Sequence, residues 1–145
     1  MLFTMNFNVW LKWVDERLEY QNLKESLFQN VVPQEMANQL WQPLLVFGNM
    51  NERQRLEYVP SSSVMMLVKN GIGKEAPFSH LDEAIVYNSN ETEIVLRHIQ
   101  LSKFKCDFDL RYFPFDKQTC FVKVNFAEIL KLTIVEFLKK TILSS

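Results

Sequence analysis

The stretch that decides the fold is Cys106-Asp-Phe-Asp-Leu-Arg-Tyr-Phe-Pro-Phe-Asp-Lys-Gln-Thr-Cys120, which sets thirteen residues between the only two cysteines of the chain. Two thiols at this spacing are open to two readings: they pair with each other, or they are separate buried thiols. The interior of the loop is unusual. Phe113-Pro114-Phe115 places a proline between aromatics, a setting that favours a tight turn and raises the cis population of the X–Pro bond. If the cysteines pair, closing such a loop constrains the unfolded chain by roughly 3 kcal/mol in the loop-entropy account. Two cysteines without a Cys-x-x-Cys do not make a four-thiolate zinc site.

Working outward, the segment Met5–Leu18 alternates Phe7, Val9, Leu11 and Trp13 with Asn6, Asn8, Trp10 and Lys12, the period-two signature of a half-buried strand. Asp15 and Arg17 continue the face of the apolar set. Pro33 before Gln-Glu-Met-Ala suits a short helical turn with proline in its first position. Residues 50–63, ending Pro60-Ser-Ser-Ser63, read as a surface loop. Strands are expected at Val64–Lys69, closed by Asn70-Gly71, at Ala84–Tyr87, at Ile94–Phe104, and at Phe121–Phe126, where Cys120, Val122, Val124 and Phe126 share a face. Many short strands between turn signals predict an all-β, antiparallel sandwich. The segment Ala127–Ser145 has apolar residues near helical spacing and reads as an amphipathic helix, although Thr133-Ile134-Val135 also allows a strand.

Composition removes several functions. The chain has 145 residues and a formal net charge of −1, with 48% hydrophobic and 13% aromatic residues, enough apolar mass for one core and no excess of Lys/Arg to bind nucleic acid or an anionic membrane surface. Three glycines exclude a glycine-rich phosphate cradle. His80 and His98 share no metal-binding or triad spacing with carboxylates, and Ser61–Ser63 has no partner pattern for nucleophilic catalysis, so neither an enzyme, a metal nor a cofactor is expected.

Three ordered motifs together resemble the Cys-loop, or pentameric neurotransmitter-gated, ion-channel family. The first is Cys-x13-Cys closed by Phe-Pro-Phe-Asp-x-Gln-x-Cys120. The second is Trp13-Val-Asp15-Glu-Arg17-Leu18, similar to the family's Trp-x-Asp-x-Arg-Leu. The third is Trp41-Gln-Pro43 followed by Phe47-Gly48-Asn49, similar to its Trp-x-Pro…Asn segment. The resemblance covers roughly residues 5–126, with 127–145 a non-family tail. It implies the extracellular ligand-binding domain, an immunoglobulin-like sandwich that assembles as a homo- or hetero-pentamer on the outer side of the plasma membrane, with a small agonist between neighbouring subunits.

The same resemblance implies a Cys106–Cys120 disulfide and a coupling role at the membrane-facing end for Phe113, Pro114, Phe115 and Asp116. It makes Trp13, Asp15, Arg17, Trp41, Pro43 and Asn49 fold determinants. It places Gly48 where the family often carries an agonist-lining aromatic, which argues against an aromatic box for a quaternary amine. By position, Asn8, Val95 and Arg97 become complementary-face contacts, Arg97 being suited to a carboxylate. Once an extracellular location is granted, Asn90-Glu-Thr92 becomes a glycosylation sequon. The family's leading helix and first strand, its later binding loops and its four membrane helices have no counterpart in these residues, so the chain is expected to be a truncated ectodomain contacting the membrane only through helices outside it. The alternatives are a soluble secreted ligand-binding protein similar to acetylcholine-binding protein, or a non-functional product with exposed sheet edges.

Overall fold

The structure, a computed structural model, describes residues 1–51, 55–56, 59–76, 84–107, 111, 117–126, 133–134 and 140–143. Its strands are β1 (Leu2–Trp13), β2 (Tyr20–Gln21), β3 (Leu45–Phe47), β4 (Arg55–Leu56), β5 (Ser63–Lys69), β6 (Lys74–Glu75), β7 (Ile85–Tyr87), β8 (Thr92–Lys105), β9 (Lys117–Cys120), β10 (Val124–Phe126), β11 (Thr133–Ile134) and β12 (Lys140–Leu143). One helical turn, α1 (Gln34–Ala37), and 3-10 turns at Leu27–Gln29 and Ser89–Glu91 complete the described elements. All pairings are antiparallel, in sheets ordered β11-β1-β8-β5, β10-β3-β4, β12-β9 and β2-β7-β6.

The expected alternation in the first strand is realised side chain by side chain. Phe3, Met5, Phe7, Val9, Leu11 and Trp13 are all buried, while the residues between them face outward. β1 and β8 pair in one unbroken register from Leu2↔Lys105 to Trp13↔Ile94, and β5 continues the sheet from Ser63↔His98 to Lys69↔Thr92. The second layer is β3 with β10. Phe47 meets Phe7 edge-on at 5.5 Å and Phe104 at 5.9 Å, and Phe104 also packs on Phe3 and Phe7 at 5.6 and 5.7 Å. Two facing sheets joined through interdigitating aromatics make this a β-sandwich. Full burial of each such side chain stabilises by about 1.5–3 kcal/mol.

The structure corrects four boundaries. β1 ends at Trp13 instead of running to Leu18, because the Arg17 backbone N–H donates to Asp15 Oδ1 (3.1 Å) and Leu18 N–H to the Asp15 carbonyl (3.2 Å), turning the chain. Pro33 caps α1 from outside with φ −57° and ψ 147° instead of opening it. β4 lies inside the expected loop 50–63, paired to β3. The last apolar strand begins at Val124, yet burial still alternates through Cys120, Val122 and Val124.

The tail differs more. Thr133–Ile134 pairs with Leu11 and Lys12 of β1, and Lys140–Leu143 pairs with β9, so these residues are strands where a helix was expected. Threonine and isoleucine suit a pleated edge better than a helix, and β1 and β9 each supply an edge to pair with. The remaining residues of 127–145 lie outside the described ones.

Gly73 has φ +75°, and a Cβ there would stand 2.5 Å from Ile85 Cγ2, so this turn requires glycine. Because Phe104 joins both layers, Phe104→Ala should lower unfolding stability by about 3–5 kcal/mol in a chemical-denaturation titration. Leu101→Ala, on an exposed position of the same strand, should shift it by less than about 0.5 kcal/mol.

Candidate functional site

The base of the Cys106–Cys120 loop is closed covalently, with an S–S distance of 2.01 Å and Cα atoms 5.7 Å apart. Both half-cystines are buried. Asn49 fixes the chain on either side of them. Its Nδ2 donates to the Lys105 carbonyl (3.0 Å) and to the Phe121 carbonyl (2.8 Å), and its Oδ1 accepts from Lys123 N–H (2.9 Å). Its own carbonyl takes Lys105 N–H at 2.8 Å. One asparagine amide thus holds the residue before the first cysteine and the residues just after the second. No hydrophobic side chain could satisfy these backbone groups. Phe113, Pro114, Phe115 and Asp116 lie outside the described residues.

Beside Asn49, Gly48 is exposed and donates to the Lys123 carbonyl at 2.8 Å. A Cβ there would meet only ordinary contacts, the nearest at 3.5 Å, so space does not exclude a larger residue. Trp13 and Trp41 cross edge-on at 6.5 Å, and Trp13 and Pro43 are buried. Asp15 is buried and Arg17 exposed, so the two do not share a face as the alternation suggested. They meet because Arg17 folds back, with Nε and Nη2 donating to the two carboxylate oxygens at 2.8 and 2.7 Å. This fork holds the Asp15 carboxyl below its usual range, against the opposing effect of burial. Nearby, burial pushes the Tyr20 hydroxyl up to about 12, with the Asp15 charge adding to it.

The second place with chemistry is the outward face of β1, β8 and β5. Register puts Trp10 opposite Arg97 and Arg97 opposite Val64, with Asn8 opposite Ile99 one step along. The Arg97 guanidinium lies over the Trp10 ring, 5.5 Å from its centroid, within cation–π range. Arg97 Nε is buried without a hydrogen-bond partner, and among the described residues no carboxylate pairs with it. Next to it, Pro60–Val64, Arg97 and Ile99 line an open recess of about 120 Å³.

Asn8 and Arg97 therefore do share one exposed face. Val95 does not: it is fully buried opposite Met66, leaving no surface for a ligand. Trp10 was missed as a site residue, though its signal was in the sequence. It is the one large aromatic at an outward position of β1, where the other residues are Leu2, Thr4, Asn6, Asn8 and Lys12.

The wall of the recess is fixed from below. Ser63 Oγ accepts from Val59 N–H (3.0 Å) and contacts His98 Nδ1 at 2.6 Å. Which of the two donates depends on the imidazole tautomer, and burial lowers the His98 pKa. This partnership of serine and histidine was not expected from spacing. Both residues are buried, and through Val59 N–H the pair braces the turn before β5. His80 lies outside the described residues.

Residues 1–128 match the neurotransmitter-gated ion-channel ligand binding domain. The chain belongs to that family. Its matched span is slightly longer at each end than the 5–126 expected, and the family is one of ligand binding rather than catalysis. Over 69 residues, 46% of this chain, the receptor domain is 32% identical to acetylcholine receptor subunit alpha-L1 of Schistocerca gregaria. It is 33% identical to acetylcholine receptor subunit alpha-like 2 of Drosophila melanogaster over the same length. The match spans 12% of the length of each of these relatives. No solved structure matches the chain. Among the described residues no helix is long and apolar enough to cross a membrane.

Two predictions follow from the receptor domain's geometry. Asn49→Ala should cost roughly 1–2 kcal/mol, since three hydrogen bonds go from a solvent-exposed part of the surface where water can take their place; the disulfide should then be reduced faster by a small thiol, which mass spectrometry after alkylation reads. Asp15, whose folded pKa is depressed, contributes stability above its unfolded value of about 3.9 and loses it as pH falls through the folded value. The gap in urea midpoint between the native chain and Asp15→Asn should therefore be widest near neutrality and close below about pH 4.

Proposed function

We propose that this chain forms the extracellular ligand-binding part of a neurotransmitter-gated ion-channel subunit, assembled as a homo- or hetero-pentamer at the plasma membrane, and that it offers the complementary half of an agonist site through the Trp10–Arg97 face. The observation that carries this reading is the Arg97 guanidinium, without a carboxylate partner among the described residues and seated on an aromatic ring beside a recess on an outward sheet face of a family member. At about 120 Å³ the recess is well short of the roughly 300–1,000 Å³ of a complete small-molecule pocket. A neighbouring subunit would supply the rest.

The agonist is a small molecule bearing a carboxylate. Arg97 carries a planar fork of donors with no carboxylate partner among the described residues, a geometry that suits a carboxylate bidentately. The face of Trp10 is already occupied by a cation, and Gly48 brings no second ring, so a quaternary ammonium lacks the aromatic surface it needs. The disulfide loop, with Phe113 to Asp116, would meet the membrane portion and pass binding on to the gate. Asn8, on the same face, would border the ligand.

Binding of glutamate, glycine, GABA and acetylcholine to cell-surface assemblies containing this chain tests the reading. A carboxylate ligand should bind, and Arg97→Ala should weaken it about 10–100-fold, the loss of one charge-assisted hydrogen-bond pair. Trp10→Ala should weaken it less, by releasing the guanidinium from its stack. Acetylcholine binding that is unchanged or improved by Arg97→Ala would sink the carboxylate assignment.

A further inference from the structure

The sequence contains one Asn-x-Ser/Thr triplet, Asn90-Glu91-Thr92, and the structure places its three residues in very different surroundings. Asn90 is exposed in the 3-10 turn Ser89–Glu91. Glu91 is pinned: its carboxylate accepts from Asn88 N–H at 3.1 Å, and its carbonyl takes Asn70 N–H at 2.7 Å. Thr92 opens β8, is only 1% exposed, and its hydroxyl has no hydrogen-bond partner.

That hydroxyl is the anomaly. A buried, unpartnered O–H carries a desolvation penalty that valine, of the same shape, would avoid. Thr92 pairs with Lys69 through the backbone of the sheet, which valine would do equally well. Nothing in the packing explains a hydroxyl here, whereas an N-glycosylation acceptor requires one two residues after its asparagine.

We propose that Asn90 is an N-linked glycan acceptor and that the sugar is attached before β8 closes onto its sheet. In the transfer, the Asn90 carboxamide nitrogen attacks the anomeric carbon of a lipid-pyrophosphate-linked oligosaccharide. A C–N bond forms, the C–O bond to the pyrophosphate breaks, and the amide releases one proton as the lipid pyrophosphate leaves. The transferase must reach the carboxamide and the Thr92 hydroxyl together. In the folded chain only Asn90 is accessible, so the acceptor exists only while Thr92 is still unburied. After folding, the glycan stands at the rim of an open groove of about 690 Å³ that Asn90 shares with Glu16, Arg17 and Glu19. The proposal rests on the extracellular reading above, because glycosylation needs entry into the secretory pathway.

The test is expression behind a cleavable secretion leader in eukaryotic cells, with the oxidised Cys106–Cys120 pair as the report of entry. The oxidised native chain should gain mass that an endoglycosidase removes. Asn90→Gln and Thr92→Val should lose that gain, and Thr92→Ser should keep it. Compared without glycan, Thr92→Val should have a thermal midpoint no lower than the native chain, which separates lost acceptor chemistry from lost fold. Oxidised native chain carrying no glycan overturns the proposal and leaves the ligand-binding reading, decided by agonist titration, untouched. Offered to microsomes with the lipid-linked donor, chain folded beforehand should gain at least tenfold less glycan than reduced, unfolded chain. Equal modification of the two would overturn the timing.

Discussion

The antiparallel ladder between β1 and β8 is the constraint on which everything else in this domain depends. It runs without a bulge from Leu2↔Lys105 to Trp13↔Ile94, so a single register sets both faces of the sheet at once. On the inner face it stacks Phe3 and Phe7 against Phe104, the surface that receives Phe47 from the second layer. On the outer face it sets Trp10 against Arg97. A slip by one residue would exchange these faces, burying Arg97 and exposing the phenylalanines. The cost of such an exchange is what makes the register unique.

The ladder also delivers the chain to the disulfide. β8 ends at Lys105, one residue before Cys106, and Asn49 receives it there with both its backbone and its side chain. The same amide holds Phe121 and Lys123 beyond Cys120. The loop therefore leaves from a base fixed by a covalent bond and by hydrogen bonds. At the other end of β1, the Asp15–Arg17 fork turns the chain away from the sheet. Asn49 and Asp15 thus sit where backbone groups leave the ladders and need other partners.

Much of this was legible in the residues. The period-two run through Phe7, Val9, Leu11 and Trp13 announced the strand and its buried face, because alternation survives whatever the strand pairs with. The loop composition, with the Trp-x-Asp and Trp-x-Pro segments, announced the family. Other features were not legible. Asp15 and Arg17 fit one face by counting, yet a turn places one inside and one outside. Val95 and Arg97 also fit one face, and both do point outward from β8, but Val95 is covered and Arg97 is not. Counting gives the side of a strand; it does not say what lies on top of it. The tail misled for a related reason, since Thr133–Ile134 and Lys140–Leu143 carry apolar spacing compatible with either state, and pairing with β1 and β9 decides between them.

The sequence alone determined that this chain is an antiparallel β domain of the Cys-loop receptor kind, because cysteine spacing, turn residues and hydrophobic period are local properties written in order along the chain. Only the tertiary structure decided which residues act together. Trp10 and Arg97 are 87 positions apart and meet through a register. Ser63 and His98 meet beneath the recess, 35 positions apart, for the same reason. Whether a hydroxyl such as that of Thr92 is exposed or sealed is likewise settled by packing, since burial is a property of the neighbours that folding brings and not of the residue itself.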